Sequence, residues 1–383
     1  GDVIVMQNAI LGLGGVSFAN NVSGAGQIIK TANNIAVMTG TNTHSGGTDI
    51  QQGGIIVNSP AALGTGVVAL SGANTTLTVD YSGATNVALN NQITGVGALI
   101  KDGTGTAVMN TFGNTYSGGT TINAGRIGLN FGDALGTGAD LVNAGASLAL
   151  GDVTYANNTS GAGQILKTSA GLTTLTGANT HGGGIAIQAG TLAVSSNAPL
   201  GTGTVAVSSG ATFDYTTAGA ATFSNGLSGA GTFNKLGAGQ LSFANNFGIG
   251  SLNLSAGRTR INTIGTTNVT VGSNATLDGT GRIIGNLTNN GTIAPGNSIG
   301  TLTVQGNYTH SANSVLEVEF DAAGNIDLLD VTGNATLNGG TLRFVSIGGA
   351  EGQGGTFLRT GGALTGTFAT VETVGALLPL AVI

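Results

Sequence analysis

The chain has 383 residues, of which 71 are glycine and 4 proline, with no cysteine or tryptophan. Charged residues are 7% and the formal net charge is −6, against a typical charged fraction of ~25%, which argues against a disordered polyelectrolyte and against nucleic acid or anionic membrane as partner. The glycines lack the strict third-position period of collagen, and 40% hydrophobic residues give the chain enough apolar surface to fold.

Gly1–Met6 (GDVIVM) carries no basic stretch before its short apolar run and does not read as a signal peptide. No window reaches the ~18 apolar residues of a spanning helix. From Ser23 onward, four landmarks recur in fixed order. The first is SGAGQIIK (Ser23–Lys30), TGVGALIK (Thr94–Lys101), SGAGQILK (Ser160–Lys167) and SGAGTFNK (Ser228–Lys235). Their lysines are the only four in the chain, spaced 101−30 = 71, 167−101 = 66 and 235−167 = 68 residues apart. The second is NTHSGGT (Asn42–Thr48), NTYSGGT (Asn114–Thr120) and NTHGGGI (Asn179–Ile185). The third is QGGIIV, AGRIGL, AGTLAV and AGRTRI, starting at Gln52, Ala124, Ala189 and Ala256. The fourth is ALGTG at Ala62 and Ala134 with PLGTG at Pro199. Landmarks in register at one period are a strong repeat signal.

Within a repeat the short apolar runs, such as Ile55–Val57, Leu77–Val79, Leu148–Leu150 and Leu192–Val194, are β-branched or alternating and are punctuated by Gly, Asn and Ser, as strands are. No segment keeps a helical period. A repeat of this length is too long for one solenoid turn and fits three turns of roughly 22 residues. The expectation is an all-β chain folded as a parallel β-solenoid of about 17 turns, in which stacked coils share one core and pair their backbones. Asn and Thr at equivalent positions are expected to form ladders along the axis. The competing architectures, a propeller or tandem sandwiches, call for longer, more aromatic faces, and this chain is 4% aromatic.

The landmarks fade near Asn262. VLEVEF (Val315–Phe320) then alternates cleanly, with Glu317 and Glu319 on one side, followed by DLLDV, NATLNGGTLRF and GGALTGTFAT. Two regions are expected: a stalk of about four ~68-residue repeats over 1–280, and a distinct C-terminal subdomain over 281–383.

GNTYSGGTTINAGRIGLNFGDALGTG (Gly113–Gly138) resembles the passenger-associated transport repeat of bacterial autotransporters, the type V secretion proteins. NGTIAPGNSIGTLTVQGNYTHSANSVLEVEF (Asn290–Phe320), with DLLDVTGNATLNGGTL and LTGTFATV, resembles the autochaperone segment that precedes the barrel in that family. The resemblance implies a right-handed parallel β-helix with a C-terminal capping, autochaperone-like subdomain. It further implies display on or release from a Gram-negative surface, and an outer-membrane β-barrel translocator as partner. No alternating barrel strands follow Ile383 in this sequence.

Candidate chemistry is sparse, and no catalytic, cofactor-binding or metal-binding residue is assigned. A serine protease needs Ser, His and Asp together. The histidines are His44, His181 and His310, and the first two occupy a repeat position where another copy has Tyr116, so they read as stacked turn residues. A glycan-cleaving enzyme needs facing carboxylates. The acidic group Glu317, Glu319, Asp321, Asp327 and Asp330 is the only cluster, read as charges that protect an edge strand. Arg258, Arg260 and Arg282 form the only basic group. GGTDI (Gly46–Ile50) loosely matches a calcium turn, but Asp49 is matched with Asn123 and Gln188 in the other copies. The lysine column Lys30, Lys101, Lys167 and Lys235 reads as solvated gatekeepers, roughly 14 Å apart at three coils per repeat, beyond a Debye length.

These features point to an adhesin or structural stalk, not an enzyme, acting on another cell surface, matrix or glycan without nucleic acid or cofactors. The alternatives are a carbohydrate-active β-helix enzyme, tested by Glu317 and Glu319, and a filament or matrix subunit stacking through Val3–Met6 and Leu377–Ile383.

Overall fold

A computed structural model describes residues 1–82, 86–195, 200–347 and 355–375. The apolar stretch Leu377–Ile383, expected to stack end to end, lies outside the described residues. The chain forms a parallel β-solenoid of about 15 turns, fewer than the 17 anticipated. It divides into two compact units, Gly1–Leu192 with Ala198–Gly203, and Ala193–Asn197 with Thr204–Ile383. Among the described residues there is no α-helix, only a 3-10 turn at Pro60–Leu63 that Ser59 caps by accepting the Ala61 amide.

In the first unit, Thr48–Ile50 pairs with Ile28–Lys30 before it and with Val68–Leu70 after it, steps of 48−28 = 20 and 68−48 = 20 residues. Gly54–Val57 pairs with Ile35–Met38 and Thr76–Val79. The same column continues through Ala98–Asp102, Thr120–Ile122 and Asp140–Val142. Alternation sets the faces, because successive strand side chains point to opposite sides. Ile28, Ile50, Leu70, Leu77 and Leu99 therefore meet inside, fully buried.

In the second unit the interior is aromatic. Phe213, Phe223, Phe233 and Phe243 recur every ten residues, two to a turn. Phe213 and Phe233 meet edge to face with centroids 5.2 Å apart, Phe223 and Phe233 at 5.6 Å, and Phe243 stacks on Phe247 at 4.2 Å. Each such pair adds about 0.5–1.5 kcal/mol beyond its buried area.

Phe247–Arg260 and Ile264–Gly279 pair almost continuously around one turn. Later turns lengthen: Tyr308 pairs with Ala335, 335−308 = 27 residues on, and Ala335 with Leu364, 364−335 = 29. An asparagine ladder runs beside them. The Oδ1 atoms of Asn268, Asn286, Asn307 and Asn334 accept the amides of Asn286, Asn307, Asn334 and Ala363, one turn further each time, at 2.9–3.0 Å.

Candidate functional site

The four lysines are where the structure departs most from the sequence reading: they do not form one column, because Lys30, Lys101 and Lys167 lie in three different strand ladders. Lys30, Lys101, Lys167 and Lys235 have no exposed surface, so they are not solvated gatekeepers. In Gln27–Lys30 the second and fourth side chains are buried, so Lys30 points inward with Ile28. The other three follow the same parity, beside Val79 and Ile122, Leu150 and Ile187, and Tyr215 and Leu254. Each stem fills the interior and each ammonium reaches a corner, where backbone carbonyls converge on three of the four. Lys235 Nζ donates to the carbonyls of Gly237 at 2.6 Å, Gly239 at 2.6 Å and Ala256 at 2.8 Å. Lys101 donates to Asp102 O at 2.5 Å, Gly103 O at 2.8 Å and Ala124 O at 3.4 Å. Lys30 donates to Ala32 O, to Asn34 Oδ1 at 3.2 Å and to Gln52 O at 3.4 Å. Lys167 uses Ser169 and the Asp152 carboxylate, 3.0 Å away. Burial pulls the Lys30, Lys101 and Lys235 ammonium groups below their ordinary pKa, with Asp80 and Asp102 opposing it at Lys101. A carbonyl-bound ammonium satisfies backbone acceptors that the ladder misses.

The repeat position of His44, Tyr116 and His181 is structural, as the exchange of histidine with tyrosine implies, although the three stack on different ladders. His44 Nε2 lies 3.1 Å from Thr48 Oγ1, and Tyr116 OH lies 2.7 Å from Thr120 Oγ1. At His181 the corresponding residue is Ile185, which has no hydroxyl, and both ring nitrogens are buried without a hydrogen-bond partner. Burial lowers the pKa of both His44 and His181. The glycine of each LGTG landmark lies against the ring. Gly64, Gly136 and Gly201 have φ of 67°, 65° and 69°, and a Cβ there would sit 2.2–2.5 Å from the carbonyl oxygen of His44, Tyr116 or His181. The next residue, Thr65, Thr137 or Thr202, donates its amide to that same carbonyl at 2.9–3.0 Å. The asparagine two residues before the ring ties coils together: Asn114 Oδ1 accepts the Ile93 amide at 2.7 Å and Nδ2 donates to Ala134 O at 2.8 Å. His310 is buried beside Tyr308, whose hydroxyl lies 2.7 Å from its Nδ1; burial pushes its pKa down to about 4.

Near Tyr116 is a buried acid that sequence reasoning missed. Asp140 is 1% exposed and accepts the Tyr155 hydroxyl. Burial raises its pKa from 3.8 to about 7, with the Tyr155, Asn157 and Thr120 hydrogen bonds opposing. Its strand stacks it between Thr120 and Thr159, a placement visible only once register is known.

The acidic and arginine groups meet in the second unit. Asp278 is 2% exposed at its side chain and takes Arg258 and Arg260, each at 2.7 Å. A cavity of about 40 Å³ is lined by these three with Glu317, Glu319 and the turn at Pro295–Ser298, room for about one water molecule. Arg282 lies beside Ile264 and Thr303, outside this group. Glu317 and Glu319 do share the outward face of Val315–Phe320. That strand is not an edge, however: Thr292–Ile293 pairs on one side and Thr341–Ser346 on the other. The acids therefore serve no edge protection. Glu317 takes Arg343 at 3.4 Å, Asp330 takes Arg359 at 2.6 Å, and Asp321 caps a turn through Ala323 and Asn325. Asp327 is buried, accepting the Gly300 amide at 2.7 Å and the Glu319 amide at 2.8 Å. Burial raises its pKa to about 7 against those bonds.

Asp49 also moves. Strands Thr48–Ile50, Thr120–Ile122 and Ile185–Ile187 are equivalent, so its counterparts are Thr121 and Ala186, while Asn123 and Gln188 match Gln51. Its carboxylate accepts Gln51 Nε2 at 2.8 Å and Ser71 Oγ at 2.5 Å. Among the described residues no three His, Asp or Glu side chains are grouped as metal ligands.

Residues 32–57, 62–88, 99–128 and 165–194 match the family described as passenger-associated-transport-repeat. The matched unit is shorter than the landmark period and ends at Val194, although the lysine landmark continues to Lys235. The Adhesin BmaC autotransporter of Brucella suis biovar 1 (strain 1330) is 30% identical over 206 residues, 53% of this chain and 5% of that protein. The chain therefore spans a small fraction of the relative's length.

Proposed function

We propose that this chain, an autotransporter passenger domain by its repeats and its relative, is an adhesive or stalk surface of a Gram-negative cell and not an enzyme. One observation carries the reading. The chemistry that recurs with the repeat, four lysines and the His/Tyr position, is turned inward and consumed by stacking. What the repeat presents outward is Thr, Asn, Ser and Gly with few charges. Such a surface binds weakly at any one turn and gains strength by repetition. In the full-length protein an outer-membrane β-barrel exports the passenger, and residues 281–383 template its folding.

Beads coated with the chain at graded density, applied to cultured epithelial monolayers, test this. Adhesion should rise more steeply than coating density and change little between low and physiological salt, since few charges are available to screen. Adhesion no greater than that of albumin-coated beads would refute the adhesive reading.

A further inference from the structure

Twelve phenylalanines and five tyrosines are the aromatic residues of this chain, and only Phe112 and Phe131 are exposed, at 71% and 39%. They touch: their rings lie 5.8 Å apart at 60°, edge to face. Both belong to one copy of the repeat. Phe112 stands two residues before Asn114, where the sister copies have Gly40 and Gly177. Phe131 stands three before Ala134, where the sister copies have Ser59 and Ser196. Stacking does not require a ring at either place, because the earlier copy stacks with Gly40 and Ser59 there. The two rings therefore depart from the repeat together, on adjacent turns and on the outside.

A polar frame surrounds them. Gln92 Nε2 donates to Gly113 O at 2.7 Å, and the Gly113 amide donates to Asp133 Oδ2 at 2.8 Å. Asn130 Nδ2 donates to Asn110 Oδ1 at 2.7 Å, which leaves the Asn110 amino group and the Asn130 carbonyl oxygen for an outside partner. No cation belongs to this frame. The two rings together expose about 220 Å², taking ~200 Å² for a whole phenylalanine, well below the ~800 Å² each partner buries in a stable protein interface. The patch is one ring wide, apolar at its centre, and rimmed by amides and one carboxylate.

We infer that the Phe112–Phe131 corner is a carbohydrate subsite, stacking the C–H face of one neutral pyranose ring while Asn110, Asn130 and Asp133 engage its hydroxyls. A neutral sugar presents that combination of apolar face and donor–acceptor rim. This rests on the adhesive reading and names its ligand class; repetition of weak contacts over many displayed chains would supply avidity.

Saturation-transfer NMR with the whole chain tests it, using methyl β-D-glucopyranoside, methyl β-D-galactopyranoside, N-acetyl-D-glucosamine and lactose as probes. Transfer to sugar ring protons is expected, with binding roughly tenfold weaker in F112G/F131S, the residues of the sister copies. F112L/F131L, which keeps apolar bulk without rings, should show the same loss, and circular dichroism checks that each variant is folded. No transfer from any probe with the unaltered chain overturns the inference, as does equal transfer from folded variants. A concentration-dependent dimer in sedimentation, abolished by either variant, would assign the corner to a second copy instead and also overturn it. Bead adhesion separates the two readings. If the unaltered chain adheres and F112G/F131S adheres equally, the subsite fails and the adhesive reading stands; if the unaltered chain does not adhere, the adhesive reading itself fails.

Discussion

Replacing Lys235 by methionine keeps most of the buried stem and deletes the ammonium. Three carbonyls, those of Gly237, Gly239 and Ala256, then lose donors at 2.6, 2.6 and 2.8 Å. An unsatisfied buried acceptor costs about 1–3 kcal/mol, so three give roughly 3–9 kcal/mol gross. Relief from holding a buried charge offsets part of this, since burial already disfavours the Lys235 ammonium. Removing one member of a buried charged network typically costs about 3–5 kcal/mol, and a net loss of about 3 kcal/mol is expected for K235M. K235A should lose about 2 kcal/mol more, because the stem beside Tyr215 and Leu254 leaves a cavity. Urea titration followed by circular dichroism reads both. If K235M costs less than about 1 kcal/mol, Lys235 behaves as a surface charge and the carbonyl-cradle argument fails.

Three further outcomes follow from named contacts. H44Y should cost under about 1 kcal/mol, because Thr48 offers the new hydroxyl the partner that Thr120 gives Tyr116, whereas H181Y should cost about 1–3 kcal/mol, because Ile185 offers none; equal costs would contradict this ring–hydroxyl pairing. Asp140 has its folded pKa raised from 3.8 to about 7, so the folded state binds more protons than the unfolded between those values and stability falls as pH rises through that window. The slope is up to about 1.4 kcal/mol per pH unit; relative to D140N the chain should lose stability from pH 4 to pH 7 and run parallel above, and a parallel course throughout would refute it. Deleting Gly281–Ile383 should slow refolding and lower its yield, since parallel pairing is non-local and slow to nucleate; unchanged far-UV kinetics would remove the template role.

The solenoid was legible because its period is written several times over. Fixed landmarks gave the repeat, and two-residue alternation gave the strands. That alternation carried more than was read from it. In QIIK, Ile28 and Lys30 have the same parity, so an inward Ile28 already implies an inward Lys30; lysine's usual preference for water hid this. The ten-residue spacing of Phe213, Phe223, Phe233 and Phe243 likewise announced two interior rings per turn. Other features depend on register, which sequence alone does not supply. Arg258 and Arg260 reach Asp278 one turn away, and Asp140 becomes a buried acid only when stacked between Thr120 and Thr159. The reading of Glu317 and Glu319 failed for the same reason, since both neighbours of their strand had to be placed before it could be called interior.

The most direct test is amine labelling with an acylating reagent on the native chain, counted by mass spectrometry. The chain has four lysines and one α-amino group, and all four lysines are buried. Inward lysines give one label per native chain, at Gly1, and five after denaturation. Four or more labels on the folded chain would place the lysines on the surface and contradict the claim that the repeat turns its recurrent chemistry inward.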